Sequence, residues 1–126
     1  MTRPHQVAGN MLRALRPGGR LIAEFGGYGN VAEVRRAVDV ALEELALLAV
    51  EGPWCPWYFP RLGEYATVLE TAGFVVRSST WFPRPSPMPD SEAQSGIMTW
   101  LEIFASALLH ALPAEKRQSF AAIVER

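Results

Sequence analysis

Sixteen residues, LRPGGRLIAEFGGYGN at positions 15–30, constrain the fold of this chain more than any other stretch. The Pro-Gly-Gly turn at 17–19 ends any preceding helix, because proline cannot continue a helix and glycine adopts backbone angles that other residues avoid. The nearly unbroken apolar run at 20–25 then predicts a strand covered on both faces. A second glycine-rich turn at 26–30 ends that strand. Helix, turn, buried strand, glycine loop and helix form one repeat of an open α/β sheet, whose ligands bind beyond the strand ends.

The rest of the chain supplies mostly helices. Apolar side chains that recur at helical spacing predict five of them: 4–15, a long helix from the N-cap Asn30 to about Val50, 62–72 closed by Gly73, 96–112, and a last helix from Pro113. A second strand is predicted at 74–82, which is rich in β-branched and aromatic residues. Prolines at 83, 85, 87 and 89 then impose an extended linker.

Two strands are too few for a stable sheet, because each would keep an exposed edge. The α/β pattern is therefore incomplete within this chain. We expect a homo-oligomer or a strand-completing partner to finish the sheet.

Composition narrows the class of protein. The 126 residues predict one domain, and a net charge of −1 without a basic block gives no indication of nucleic-acid or membrane-surface binding. Cys55 is the only cysteine, so an internal disulfide is ruled out. The N-terminus lacks the apolar core of a signal peptide, and no apolar run approaches the roughly 18 residues that cross a bilayer. The sequence thus predicts a soluble, cytoplasmic chain.

The most aromatic stretch is GPWCPWYFP at 52–60, where three prolines exclude a helix or a central strand. One interpretation is a loop that lays its rings on the core. The other is an apolar wall of a substrate pocket near the glycine turn, with Trp57 and Tyr58 as the lining candidates.

LRALRPGGRLIAEFGGYGN closely resembles the segment around the fifth strand of class I S-adenosylmethionine-dependent methyltransferases. The downstream order PWYFPRLGEYATVLETAGF, FPRPSPM, MTWLEIFA and LPAEKR resembles the trans-aconitate methyltransferase-like branch of that family. The resemblance covers essentially all 126 residues and implies a partial Rossmann-like fold. It also implies transfer of a methyl group from S-adenosylmethionine to a small-molecule acceptor.

The same resemblance implies that residues 1–126 form a single partial domain, the C-terminal half of such an enzyme. The family's glycine-rich turn after the first strand and the acidic residue ending the second have no counterpart here, and its last strand is also absent. We therefore expect this chain alone to be inactive and not to bind S-adenosylmethionine.

Five candidate substrate-lining residues flank the predicted strands. Glu24 either faces the site or is a solvated or ion-paired edge residue. Gly26 and Gly27 form the turn, and Asn30 is either a helix cap or a substrate ligand. Arg84, between two prolines, either meets a substrate carboxylate or is a solvated loop arginine.

No catalytic residue and no metal site is predicted. His5 and His110 are isolated, with no spacing typical of a metal site or a nucleophile relay. Cys55, between Trp54 and Pro56, fits a packed thiol better than a reactive one. Two alternatives to an enzyme remain: a non-catalytic module that oligomerises or binds a partner, and a small-molecule binder using the aromatic loop.

Overall fold

The computed structural model describes residues 3–47 and 54–126, and these fold as helices joined by extended segments. Six α-helices lie within these two ranges: α1 (Pro4–Ala14), α2 (Ala32–Glu44), α3 (Leu62–Ala72), α4 (Gly96–Phe104), α5 (Ser106–Ala111) and α6 (Arg117–Val124). A 3-10 turn at Ala114–Lys116 precedes α6. None of these helices is both long and apolar enough to cross a lipid bilayer.

The predicted α/β fold with two strands is wrong, because the described part of the chain contains no strand or sheet. Residues 20–25 and 74–82 are non-helical but make no ladder of backbone hydrogen bonds with a neighbour. The apolar run at 20–25 predicted burial on both faces, yet Ile22 is 94% exposed; in the second segment Val75 is 83% exposed. A strand needs a partner for its N–H and C=O groups, and apolar composition alone does not provide one.

The described residues divide into two compact units. The first contains residues 3–30 and 56–84, in which α1 packs against α3. Ala8 of α1 and Val68 of α3 are its buried apolar side chains within the helices. The predicted boundaries of α3 are confirmed, including Gly73, which ends the helix in a left-handed conformation at φ 106°.

Gly73→Ala is expected to lower the free energy of unfolding by about 1–2 kcal/mol, since an alanine at this positive φ is strained. A β-carbon there would also lie 3.1 Å from Leu12 Cδ2, at the α1–α3 contact. Urea denaturation followed by circular dichroism measures the change. Gly63→Ala is the matched control, because nothing lies within 4 Å of its β-carbon position. A Gly73→Ala variant as stable as Gly63→Ala would contradict the prediction.

The second unit contains residues 31–47, 54–55 and 85–126, and its core is larger. Val38 of α2, Leu101 of α4 and Phe120 of α6 are fully buried. Around these lie further buried apolar side chains of the same helices and of α5: Val34, Ala41, Leu42, Ala105, Leu108, Leu112 and Val124. Arg126 also binds both carboxylate oxygens of Glu44, at 2.7 and 2.8 Å.

Helix α2 differs from its prediction at both ends. Asn30 is not its N-cap: Val31 holds that position, with a left-handed φ of 50°, and no side chain caps the helix. The helix ends at Glu44 rather than near Val50. Ala46 has φ 54°, while Leu47 N–H donates to Leu42 C=O and Ala46 N–H to Glu43 C=O. This is a Schellman ending without the usual glycine; residues 48–53, which include Val50, lie outside the described residues.

The predicted helix 96–112 is two helices. Ala105 leaves helical geometry, at φ −133° and ψ 30°, and separates α4 from α5. Ala105 itself is buried in the core of the second unit. The last helix begins as predicted after Pro113, with a 3-10 turn first.

Candidate functional site

The glycine turn and the aromatic loop meet within the first unit. Tyr28 N–H donates to Pro60 C=O at 3.0 Å, and the Trp81 indole Nε1–H donates to Tyr28 C=O at 3.2 Å. Asn30 N–H donates to Gly27 C=O at 2.9 Å, which closes the turn. Three segments far apart in sequence are therefore hydrogen-bonded at one place.

Aromatic rings and one guanidinium group also pack at this junction, which comprises the glycine turn at 26–30, the aromatic loop at 57–61 and Trp81. The Arg61 guanidinium lies 3.6 Å from the centroid of the Tyr28 ring, a cation–π contact. Phe25 and Tyr65 pack edge to face, with ring centroids 4.6 Å apart. Trp57 and Phe59 are 6.1 Å apart between centroids. The aromatic loop thus contacts the glycine turn through Phe59, Pro60 and Arg61, and a substrate wall formed by Trp57 and Tyr58 stays a prediction.

Gly26 lies in close contact with the side chains of Asn30 and Phe59. A β-carbon at this position would lie 2.6 Å from Asn30 Nδ2 and 2.9 Å from Phe59 Cε1. The space beside the glycine is thus filled by the side chains of Asn30 and Phe59.

Glu24 and Arg84, which the sequence placed at two separate strand ends, form an ion pair in the first unit. Their side chains are 59% and 73% exposed, so the pair adds at most about 1 kcal/mol to stability. The pair agrees with the ion-paired alternative for Glu24, and Arg84 is a solvent-exposed loop arginine that forms this ion pair. The two charges also present a donor and an acceptor to any ligand that reaches this surface.

The remaining candidates are partly accessible. Trp57 and Tyr58 are half-buried in the aromatic loop, and Gly27 is packed near Pro60 and Trp81. Asn30 is exposed; it fills the space beside Gly26 instead of capping a helix.

Tyr58 has an altered acidity. Desolvation by burial raises the pKa of its phenol above 10.0, and the nearby Glu64 carboxylate and Tyr65 raise this pKa further. Since the folded state disfavours the tyrosinate, the unfolded chain loses this proton first as the pH rises.

We expect the stability of the wild-type chain to fall as the pH rises from 10 towards the folded-state pKa of Tyr58, and that of Tyr58→Phe to fall less. The tyrosinate absorbance of both proteins is measured as a function of pH. The difference between the two curves gives the ionisation of Tyr58. Its midpoint is expected above pH 10. A midpoint at or below that value would contradict the prediction.

Sequence reasoning missed several residues of the junction. Phe59, Pro60 and Arg61 follow the two residues that were singled out, and Trp81 was assigned to a strand. Their contacts span more than 30 positions along the chain, so no local pattern indicates them. The aromatic and proline-rich composition of residues 52–60 was the one available signal.

No group of three or more metal-ligating side chains is found in residues 3–47 and 54–126. His5 is exposed on α1, and Cys55 is half-buried.

Comparison with known proteins adds one relative. No protein-family model matches the chain. An uncharacterized methyltransferase of Schizosaccharomyces pombe is 33% identical to it over 105 residues, which is 82% of this chain. This similarity supports a methyltransferase family. The chain spans 38% of the length of that methyltransferase. The similarity does not assign the chain to the trans-aconitate methyltransferase-like branch, and that assignment stays a prediction.

Proposed function

We propose that this chain is the acceptor-side part of an S-adenosylmethionine-dependent methyltransferase that acts on a small molecule. The observation that carries the proposal is the 33% identity to a methyltransferase over 105 residues. The narrower assignment to a trans-aconitate methyltransferase-like branch rests on the order of the segments PWYFPRLGEYATVLETAGF, FPRPSPM, MTWLEIFA and LPAEKR.

In this proposal the junction of the glycine turn and the aromatic loop forms the binding site of the methyl acceptor. The lining set is Glu24, Gly26, Gly27, Asn30, Trp57, Tyr58 and Arg84. Half-buried rings supply apolar contact, while the Glu24–Arg84 pair supplies one acceptor and one donor. Methyl transfer depends on the relative position of the two reactants more than on proton transfer. The role of these residues is therefore to bind and orient, and no catalytic residue is assigned.

S-adenosylmethionine would supply the methyl group from a site formed by residues outside this chain. Calorimetric titration of S-adenosylmethionine into the purified chain is expected to show no binding. Binding in the micromolar range would overturn the placement of the cofactor site.

A chimera tests the family relationship itself. The matched segment of the S. pombe methyltransferase is replaced by the corresponding 105 residues of this chain. If the cofactor contacts lie outside the exchanged segment, the chimera should bind S-adenosylmethionine within about tenfold of the intact relative, a difference of about 1.4 kcal/mol. A chimera that folds by circular dichroism but loses binding by a hundredfold would contradict the proposal.

A second function is a non-catalytic module that works by oligomerising or by binding a partner chain. It is favoured by Ile22 and Val75, which are 94% and 83% exposed in extended segments. Large exposed apolar side chains are typical of surfaces that another chain covers. Sedimentation over a hundredfold range of concentration should then show association that Val75→Lys weakens. Val7→Lys is the control, at a 51% exposed valine of α1; a monomer at all concentrations would argue against self-association.

A further inference from the structure

The second unit contains a cavity that plays no part in the proposed acceptor site. Its volume is about 360 Å³, at the small end of the range for ligand pockets. Helices α4, α5 and α6 line it, together with the residues between them. None of the lining residues belongs to the substrate-lining set of the first unit.

One part of the lining is apolar. Phe120 is fully buried and Leu112 nearly so, while Met98 and Leu109 are half-buried. These four side chains come from three helices and the turn after α5. Met98 and Leu109 keep apolar surface accessible to an aliphatic group of a few carbons, whereas Phe120 and Leu112 belong to the buried core of this unit.

The other part of the lining is solvent-exposed and carries opposite charges, on Glu102 and Arg117. The Gln94 side-chain amide donates to Glu102 Oε2 at 2.8 Å, which fixes this carboxylate and leaves its Oε1 available. Arg117 donates from Nε to Leu112 C=O at 3.3 Å, so its two terminal nitrogens remain available. Arg117 makes no ion pair within the described part of the chain. The Ser106 hydroxyl and the His110 imidazole complete the polar lining.

We infer that this cavity binds a small zwitterion of the amino-acid class with an aliphatic side chain. Arg117 donates from its two terminal nitrogens to the carboxylate of the ligand, and Ser106 adds a hydroxyl donor. Glu102 Oε1 accepts the ammonium group. The aliphatic side chain lies over Leu109 and Met98.

Simpler ligands leave part of this lining unsatisfied. A purely apolar ligand would cover the charges of Glu102 and Arg117 without replacing their water, which costs free energy. A monocarboxylate would pair with Arg117 but lie against the Glu102 carboxylate. An amine would do the reverse. A zwitterion uses both charges at once.

Four probes separate these possibilities on the wild-type chain: L-leucine, glycine, 4-methylpentanoate and 3-methylbutylamine. Amide chemical shifts in the NMR spectrum of the labelled chain report binding. L-Leucine is expected to bind with a Kd of about 1 mM and to shift amides of residues 94–120. The other three, which each lack one of its groups, are expected to bind at least tenfold more weakly. A flat L-leucine titration would overturn the inference, as would equal binding of 4-methylpentanoate or 3-methylbutylamine.

Two variants assign the charged partners. Glu102→Gln keeps an acceptor for Gln94, and Arg117→Gln keeps a polar side chain; each should weaken L-leucine binding at least tenfold. Their controls are Glu115→Gln and Arg35→Gln, at exposed positions of the same unit outside the cavity lining. These control variants should bind L-leucine with a Kd within twofold of the wild-type value. Control variants that weaken binding as much as Glu102→Gln and Arg117→Gln would overturn the assignment, and circular dichroism of each variant verifies that it is folded.

Discussion

Phe120→Ala is expected to lower the free energy of unfolding by about 3–5 kcal/mol, a large part of the stability of a domain this size. Phe120 is the largest side chain that is fully buried, and it lies in the cluster that joins α2, α4 and α6. Truncation removes apolar area from that cluster and leaves a cavity that the surrounding helices fill only in part.

Thermal and urea unfolding, followed by tryptophan fluorescence, measure this loss. The matched control is Phe82→Ala, since Phe82 is 52% exposed. This control should change stability by less than about 1 kcal/mol, because a surface substitution leaves no cavity. Equal losses in the two variants would show that Phe120 is not a core residue.

Gly96→Ala is expected to cost about 3 kcal/mol, because a single added methyl group would overlap main-chain atoms. The β-carbon would occupy the position of the Met88 carbonyl group and lie 2.9 Å from Pro89 O. A main chain cannot rotate away as a side-chain end can. Moving it would also strain the hydrogen bond that Gly96 N–H donates to Asp90 Oδ1 at 2.8 Å.

The control for this substitution is Gly9→Ala in α1. Its β-carbon would meet only Arg13 Nη1, at an ordinary 3.6 Å, so the variant should be neutral or more stable by about 0.5–1 kcal/mol. Urea midpoints of the two variants give the comparison. A Gly96→Ala midpoint equal to that of Gly9→Ala would mean that residues 88–89 do not pack on the start of α4.

The helices that the sequence predicted well have strong local end signals. Pro4 begins α1, and Gly73 ends α3 at a positive φ. Where the end signal is missing, the prediction failed. Ala46 ends α2 in a left-handed conformation that alanine rarely adopts, and Ala105 interrupts 96–112 although alanine favours helices.

The predictions of the two strands failed for a different reason. The runs at 20–25 and 74–82 have strand composition, but pairing is a property of two segments, and neither finds a partner in the described residues. The composition of these two segments therefore predicted the wrong secondary structure, and in the fold they carry exposed apolar side chains.

The candidate site was predicted in part. The Glu24 and Arg84 side chains were both singled out, yet nothing in the sequence joined positions 60 residues apart as a pair. The same holds for Trp81, which reaches Tyr28 across 53 positions. Local patterns locate a turn and an aromatic loop, whereas long-range contacts decide which side chains meet.

The order of the two units along the chain limits how they can be separated. The chain passes from one unit to the other near residues 30, 55 and 84, so each unit is built from two non-adjacent stretches. No single cut or truncation yields either unit whole: a fragment starting at residue 85 would lack α2, against which α6 packs. Isolating the second unit would require a redesigned polypeptide in which residues 31–55 are joined directly to 85–126.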